Sequence, residues 1–323
     1  PYPHLLLLSN QDGKFVDASS QIEDQNNGDG QLCNFAHDAS SGDPDGDGDI
    51  DIFACNILNI NDGLGNFNMH DYINLEWQIN NQYGSPMSSL MVDLNNDNYD
   101  DILFWNFDNR SNWSSAQEGY ILLSNNSADI SSWDLVILPE GPFGFDRNKY
   151  NHAASGDLNN DGKEDIFIGG AHKQDAKIFL SNEKGLVEKN IESFEADSKN
   201  EDMESIFIDI DNDNDLDLYV VSGGNEFNNR SIELADRIYL NDGKGNFKRD
   251  LQEDLQNYTI SGKTVTEIDY DNDGDSDIII GNRIQTKKYP IHEPSIIYEN
   301  ISGKFYNNTY NIAPEFENFG IVN

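Results

Sequence analysis

The sequence predicts an all-β fold assembled from repeats of one four-stranded antiparallel unit. Three observations lead there. A nine-residue acidic pattern occurs five times in the 323 residues, each copy runs into a short apolar stretch rich in β-branched and aromatic residues, and a Gly-containing hairpin pattern follows four of the five. The first Asp residues of successive copies lie 50 to 64 positions apart, slightly more than the known four-stranded blade repeats. No amphipathic stretch of helical length competes with the strands. Four strands per unit with turn residues at both ends make a propeller blade. The expectation is a β-propeller of about six blades, open or incomplete. It forms a single repeat domain over residues 1–323, with five acidic-loop blades from about residue 32 to 310 and a partial blade at each end.

The chain opens with HLLLLSNQDGKFVDAS (residues 4–19), two strands joined by a tight Asn-Gln-Asp-Gly hairpin. The acidic copies then read DPDGDGDID (43–51), DLNNDNYDD (93–101), DLNNDGKED (157–165), DIDNDNDLD (209–217) and DYDNDGDSD (269–277). Oxygen-bearing side chains at positions one, three, five and nine wrap one hard cation. They are Asp43, Asp45, Asp47 and Asp51 in the first copy, and Asp93, Asn95, Asp97 and Asp101 in the second. Asp157, Asn159, Asp161 and Asp165 form the third set, Asp209, Asp211, Asp213 and Asp217 the fourth, and Asp269, Asp271, Asp273 and Asp277 the fifth. Position seven adds its backbone carbonyl, from Asp49, Tyr99, Lys163, Asp215 and Asp275. Carboxylates, an amide oxygen and a carbonyl, with no sulfur and no imidazole, suit an ion that accepts six or seven oxygens. Calcium fits this better than zinc or magnesium, so about five calcium ions are expected. Position six is Gly48, Gly162 and Gly274 in three copies and Asn98 and Asn214 in two, as a turn through positive φ requires. An EF-hand shares this spacing as far as position nine but needs a bidentate Glu at twelve and flanking helices. Position twelve here holds Ala54, Phe104, Ile168, Val220 and Ile280, none of which binds metal.

After the loops come IDIFAC, DILFW, DIFIGG, LDLYVV and DIIIG, short runs that read as strands. The hairpin pattern recurs at residues 59–69, 179–188, 238–248 and 297–307. Each unit is therefore strand A, acidic loop, strand B, a connection, strand C, a hairpin and strand D. The last residues, 316–323, read as a strand A without its loop or strand B, and residues 1–19 read as strands C and D without A and B. Either the two ends complete one shared blade or the polypeptide is cut from a longer chain. The second is favoured, because the shared blade would lack strand B.

With 59 acidic against 20 basic residues and a formal charge of −39, the composition argues against nucleic acid and anionic membrane surfaces as partners. No run is long and apolar enough to span a bilayer, so no direct membrane insertion is expected. Cys33 and Cys55 rule out a disulfide-dense scaffold. They flank the first acidic loop on strands A and B, and two readings stay open: one bridge, or two separate small buried residues.

The DxDxDGxxD loop between two strands, followed by an apolar run, resembles the FG-GAP or VCBS-type repeat, the unit of the integrin alpha-subunit propeller, over nearly the whole chain. Residues 218–247, LYVVSGGNEF…DRIYLNDGKGNF, and the GNR…YP…P insert that follows resemble bacterial surface proteins that carry such repeats beside an ASPIC/UnbV domain, although no such domain is recognisable. Loops two and four depart from the pattern through Asn at position six. The resemblance implies that strand A lies innermost. The acidic loops and C–D hairpins then share one face, and the B–C and D–A connections the other. It also implies an extracellular or cell-surface setting.

Connections 105–119, 223–236, 281–294 and 139–151 are the long ones, and long loops on a rigid scaffold are where binding resides. They collect scarce cations. FDNRS (107–111) and FNNRS (227–231) are near-copies that carry Arg110 and Arg230, Arg283 begins a third connection, and Arg147 lies in a D–A connection. These planar donors either grip carboxylates of a ligand or pair with acids of their own loops. Trp113, in a polar loop, is a candidate stacking platform for a sugar, whereas Trp105 and Trp133 fall on strand patterns and read as core. His37 and His152, each just before an acidic loop, read as packing or hydrogen-bonding groups. No Gly-x-Ser-x-Gly or His-Glu-x-x-His occurs. The expected function is an adhesion or recognition module for a glycan or an extracellular protein, within a chain that can carry further domains. The alternative is a carbohydrate-active enzyme, a polysaccharide lyase or hydrolase, since the spatial pairing of carboxylates is invisible in a sequence.

Overall fold

The computed structural model describes residues 6–9, 14–21, 39–54, 57–70, 88–105, 120–127, 129, 132–137, 152–182 and 185–318. The chain divides into two compact units, Pro1–Arg147 and Asn148–Asn323. Cys33, Cys55, His37, Arg110, Trp113 and Arg147 lie outside the described residues.

In the first unit β1 (Leu7–Ser9) and β2 (Phe15–Asp17) form the expected opening hairpin. One four-stranded sheet contains β3 (Ala39–Gly42), β4 (Asp51–Ala54), β5 (Ile57–Asn61) and β6 (Phe67–His70); a second contains β7 (Ser88–Val92), β8 (Asp101–Trp105), β9 (Tyr120–Leu123) and β10 (Asp134–Ile137). The second unit has three such sheets. They comprise β11 (Ala153–Gly156), β12 (Asp165–Ile168), β13 (Lys177–Asn182) and β14 (Gly185–Lys189); β15 (Asp202–Ile208), β16 (Asp217–Ser222), β17 (Arg237–Leu240) and β18 (Lys248–Asp250); and β19 (Gly262–Ile268), β20 (Asp277–Asn282), β21 (Ile296–Asn300) and β22 (Phe305–Asn307).

Every one of these sheets pairs its strands antiparallel in chain order. An up-and-down meander places the A–B loop and the C–D hairpin at one end of the sheet and the B–C connection at the other. The register repeats as well. Position nine of each acidic loop pairs with the residue just before position one: Asp51 with Gly42, Asp101 with Val92, Asp165 with Gly156, Asp217 with Ile208 and Asp277 with Ile268. First strands of successive sheets lie side by side within each unit, β3 against β7, and β15 between β11 and β19.

The apolar runs after the loops form the cores. Strand β16 is buried along its whole length. Leu218 and Val220 pack with Leu158, Phe167 and Phe194 on one face, and Tyr219 and Val221 with Ile208, Ile278 and Tyr298 on the other. A strand covered on both faces reads as a continuous apolar run rather than an alternating one. Burial of each such side chain contributes about 1.5–3 kcal/mol. In the first unit Phe53, Phe104 and Tyr120 form the centre, with ring centroids 5.6 and 5.4 Å apart. Trp133 is buried beside them and its indole N–H donates to the Ser127 carbonyl at 2.7 Å, so this tryptophan is core as expected.

Among the described residues, a short helix follows the last strand of each sheet of the second unit: α1 (Glu192–Ala196), α2 (Glu253–Asn257) and α3 (Thr309–Ile312). Each tucks one side chain inward: Phe194, Leu255 or Thr309. The strand expected over residues 316–323 is corrected in its first part. Residues up to Asn318 belong to a 3-10 turn, Pro314–Asn318, in which the Phe316 N–H donates to Ala313 O at 2.9 Å. Pro314 presets the φ that such a turn needs. Residues 319–323 lie outside the described residues.

Candidate functional site

The five acidic loops share one backbone path. Position six has positive φ throughout, 90° at Gly48, 69° at Asn98, 83° at Gly162, 69° at Asn214 and 92° at Gly274, so Asn substitutes for Gly there without altering the turn. Position four does the same at Gly46, Asn96, Asn160, Asn212 and Asn272. That second left-handed residue went unread in the sequence, although every copy has Gly or Asn there, the residues that tolerate it. Two such turns within nine residues curl the loop back on itself.

Local hydrogen bonds hold the curl. The N–H of position seven donates to the position-five carboxylate in all five loops, at 2.9 to 3.1 Å. The N–H of position six donates to the position-one carboxylate at Gly48, Asn98, Gly162 and Asn214. Three loops bring three carboxylates to within 4.8 Å of one another: Asp43, Asp45 and Asp51; Asp209, Asp211 and Asp213; and Asp269, Asp271 and Asp273. The other two have an amide at position three, Asn95 and Asn159.

Position nine has a second task. Its carboxylate is fully buried in every loop. One oxygen accepts from the N–H just past strand C or at its end: Asn61 at 2.6 Å, Ser124 at 2.8, Ser181 at 2.7, Asn241 at 2.8 and Asn300 at 2.8. In four loops the other oxygen accepts from the position-two N–H, of Leu94, Leu158, Ile210 or Tyr270. In the first loop position two is Pro44, which has no N–H, and Asp51 Oδ2 is buried without a partner.

Further buried oxygens without partners are Asp43 Oδ1, Asn159 Oδ1, Asp215 Oδ1 and Asp275 Oδ1. Unsatisfied acceptors in loops of concentrated negative charge are what a hard cation would satisfy, so these residues fit one. Their titration agrees. Burial is the main cause that pushes Asp51 and Asp217 up to about 7, and Asp101 and Asp165 to about 6, opposed by the N–H donors and reinforced by neighbouring loop carboxylates. Burial and the adjoining Asp213 or Asp273 also raise Asp215 and Asp275 to about 6. A divalent ion would reverse the sign of this cost. Loop two differs, because both oxygens of Asp97 accept from the Ser124 hydroxyl and one also from the Asn126 N–H, which turns position five toward the C–D hairpin.

Side-chain amides link neighbouring loops in the second unit. Asn241 Nδ2 donates to Leu158 O, in the loop of the preceding sheet, and to Leu216 O in its own, at 2.9 and 3.1 Å. Asn300 Nδ2 donates to Ile210 O at 2.9 Å in the same manner. His152, just before its loop, reaches Ser205 O at 3.2 Å, the hydrogen-bonding role expected of it.

At the opposite end of the same sheets the expected cations divide. Arg230 donates to Glu293 at 3.0 Å, so this arginine ties together the connections that follow β16 and β20. Arg283 Nε is buried without a partner. A polar cluster not foreseen from sequence lies near: Arg237, fully buried, pairs with Asp202 and donates to Ser222 Oγ and Tyr239 Oη, while Tyr239 donates to Asp197 at 2.8 Å. Beside it Asp236 accepts from Tyr219 Oη and the Ser222 N–H, and burial pushes it up to about 6. The alternation of apolar and polar residues hid this cluster, since its members lie up to 42 positions apart.

A family model described as FG-GAP-like repeat matches residues 157–220 and 209–280. No curated protein matches the chain. Among solved structures, an Agrocybe aegerita lectin described as recognising non-reducing terminal N-acetylglucosamine is 17% identical over 88% of this chain and 82% of its own, with a TM-score of 0.43. A rhamnogalacturonan lyase of Bacillus licheniformis is 12% identical over 84% of this chain and 50% of its own, with a TM-score of 0.46.

Proposed function

We propose that this chain, whose residues 157–280 are FG-GAP-like repeats, is an extracellular, calcium-stabilised β-propeller that recognises a glycan or a protein with the end of its sheets opposite the acidic loops. The observation that carries this reading is the division of labour within the three sheets of the second unit, where one end carries an acidic loop and a short hairpin and the other carries the longer connections 169–176, 223–236 and 283–295. Each loop would hold one ion through positions one, three, five and nine, with the position-seven carbonyl completing the set, and position nine also clamps the loop to strand C. Calcium would relieve the repulsion at one end and so rigidify the scaffold that presents the other.

Isothermal titration of the metal-stripped protein should reveal several sites that prefer calcium to magnesium, and a polysaccharide panel should give saturable binding without product. Release of shortened or unsaturated products would replace recognition by catalysis. Indifference to calcium with all five loops intact would remove the metal reading.

A further inference from the structure

The connection between β20 and β21 contains a stretch unlike the rest of the chain. Residues 283–292 read RIQTKKYPIH, with three Lys or Arg, one His and no acid, in a protein that has 59 acidic residues against 20 basic. The stretch folds as a small hairpin. Ile284 bridges to His292, Gln285 N–H donates to Ile291 O at 2.7 Å, Ile291 N–H to Lys288 O at 2.8 Å, and Glu293 N–H to Arg283 O at 3.1 Å. Its tip is anchored from the neighbouring connection: Asn225 accepts from the Lys287 N–H at 2.7 Å, Asn228 from Lys287 Nζ at 3.1 Å, and Arg230 holds Glu293. Glu293 is buried and engaged, and Glu226 is the acid of the anchoring segment left on the surface. Residues 287–292 are all exposed, with Tyr289 71% and Ile291 53% accessible.

An exposed aromatic ring between a proline and a lysine, on a tip ordered in advance by backbone hydrogen bonds, loses little freedom when a ligand settles on it. Tyr289 offers a flat face for the apolar side of a pyranose ring, and its polar end stays in water. Lys288 offers an ammonium, and Arg230, half-exposed, spends one N–H group on Glu293 and has others to offer. A long polyanion is disfavoured by the overall charge of −39. A short ligand with one carboxylate on each sugar ring is not, because the charge beyond about 8 Å is screened at physiological salt.

We propose that this tip binds a carboxylate-bearing sugar, a uronate residue of a glycan, with Tyr289 as the stacking surface and Lys288 and Arg230 as the carboxylate donors. The proposal rests on the recognition reading above and narrows it to one ligand class and one connection. The test uses the full chain in calcium, titrated with trigalacturonate and with its methyl ester, which keeps the sugar and removes the charge. Wild type should bind the acid and bind the ester about tenfold more weakly, and Tyr289→Ala and Lys288→Ala should each weaken the acid by about tenfold. Tyr310→Ala, at an equally exposed tyrosine on α3, should change nothing. If trigalacturonate binds and neither Tyr289→Ala nor Lys288→Ala weakens it, the tip is refuted while glycan recognition stands. If acid and ester bind alike, the carboxylate is refuted. If polyglutamate displaces the sugar, the tip belongs to acidic peptides instead, and no binding to any saccharide refutes both the tip and the glycan reading.

Discussion

Pro44 decides what Asp51 can do. In the other four acidic loops a position-two N–H holds the second oxygen of the position-nine carboxylate; here that oxygen is buried and free, close to Asp43 and Asp45. Asp51→Asn keeps the acceptor for Asn61 and replaces the free oxygen with an NH2 group that can donate to those neighbours. Without metal it should raise the melting temperature by several degrees, a gain of about 1 kcal/mol, and it should shrink the rise that calcium produces. Asp217→Asn should do the opposite without metal. One of its oxygens accepts from Ile210 N–H and the other from Asn241 N–H, so an amide group must face a donor, at a cost of about 1–3 kcal/mol. Thermal melts in chelator check both, and equal signs would refute this account of Pro44.

At the scale of the sheet, two contacts hold neighbours in place. Arg237 is buried on β17 and pairs with Asp202 on β15, across β16. Burial opposes its charge, but Asp202 together with Tyr239 and Asp197 outweighs that and holds the guanidinium above its ordinary range. Arg237→Ala strands Asp202 in the interior, and chemical denaturation should show a loss of about 3–5 kcal/mol. Asn241 acts between sheets, with its amide on Leu158 O and Leu216 O. Asn241→Ala should cost about 2 kcal/mol, since two buried carbonyls lose their donor. It should also speed amide exchange in both loops it joins, 157–165 and 209–217, whereas exchange confined to its own sheet would show that the amide does not couple them.

For the molecule as a whole the acidic loops set the pH response. Asp51, Asp101, Asp165, Asp215, Asp217 and Asp275 have folded values of about 6 to 7 against an ordinary 3.8, so the folded chain without metal binds more protons than the unfolded one across that window. Stability present below 3.8 is then lost as the pH rises through 6 to 7. The carboxylates held below their ordinary value, such as Asp62 and Asp242, titrate beneath this window. In chelator the melting temperature should therefore be higher at pH 5.5 than at 7.5. In millimolar calcium the order should invert, because protons compete with the ion for the same oxygens. The same direction in both conditions would count against metal in the loops.

By itself the sequence determined the acidic loops, the buried strand after each and the hairpin between strands C and D. All three are written in spacings of under a dozen residues: a nine-residue ligand pattern, an apolar run and a Gly-containing turn. The left-handed residue at position four is equally legible in Gly46, Asn96, Asn160, Asn212 and Asn272, because Gly and Asn are the residues that tolerate positive φ. Only the tertiary structure decided that position nine clamps strand C, that Asn241 and Asn300 lock successive loops together, and that Arg230 spends itself on Glu293 rather than standing free. Those partners lie up to 90 positions apart in the chain. They meet because meandering sheets stack side by side, and side-chain spacing along one strand does not record which residues of the next sheet will face it.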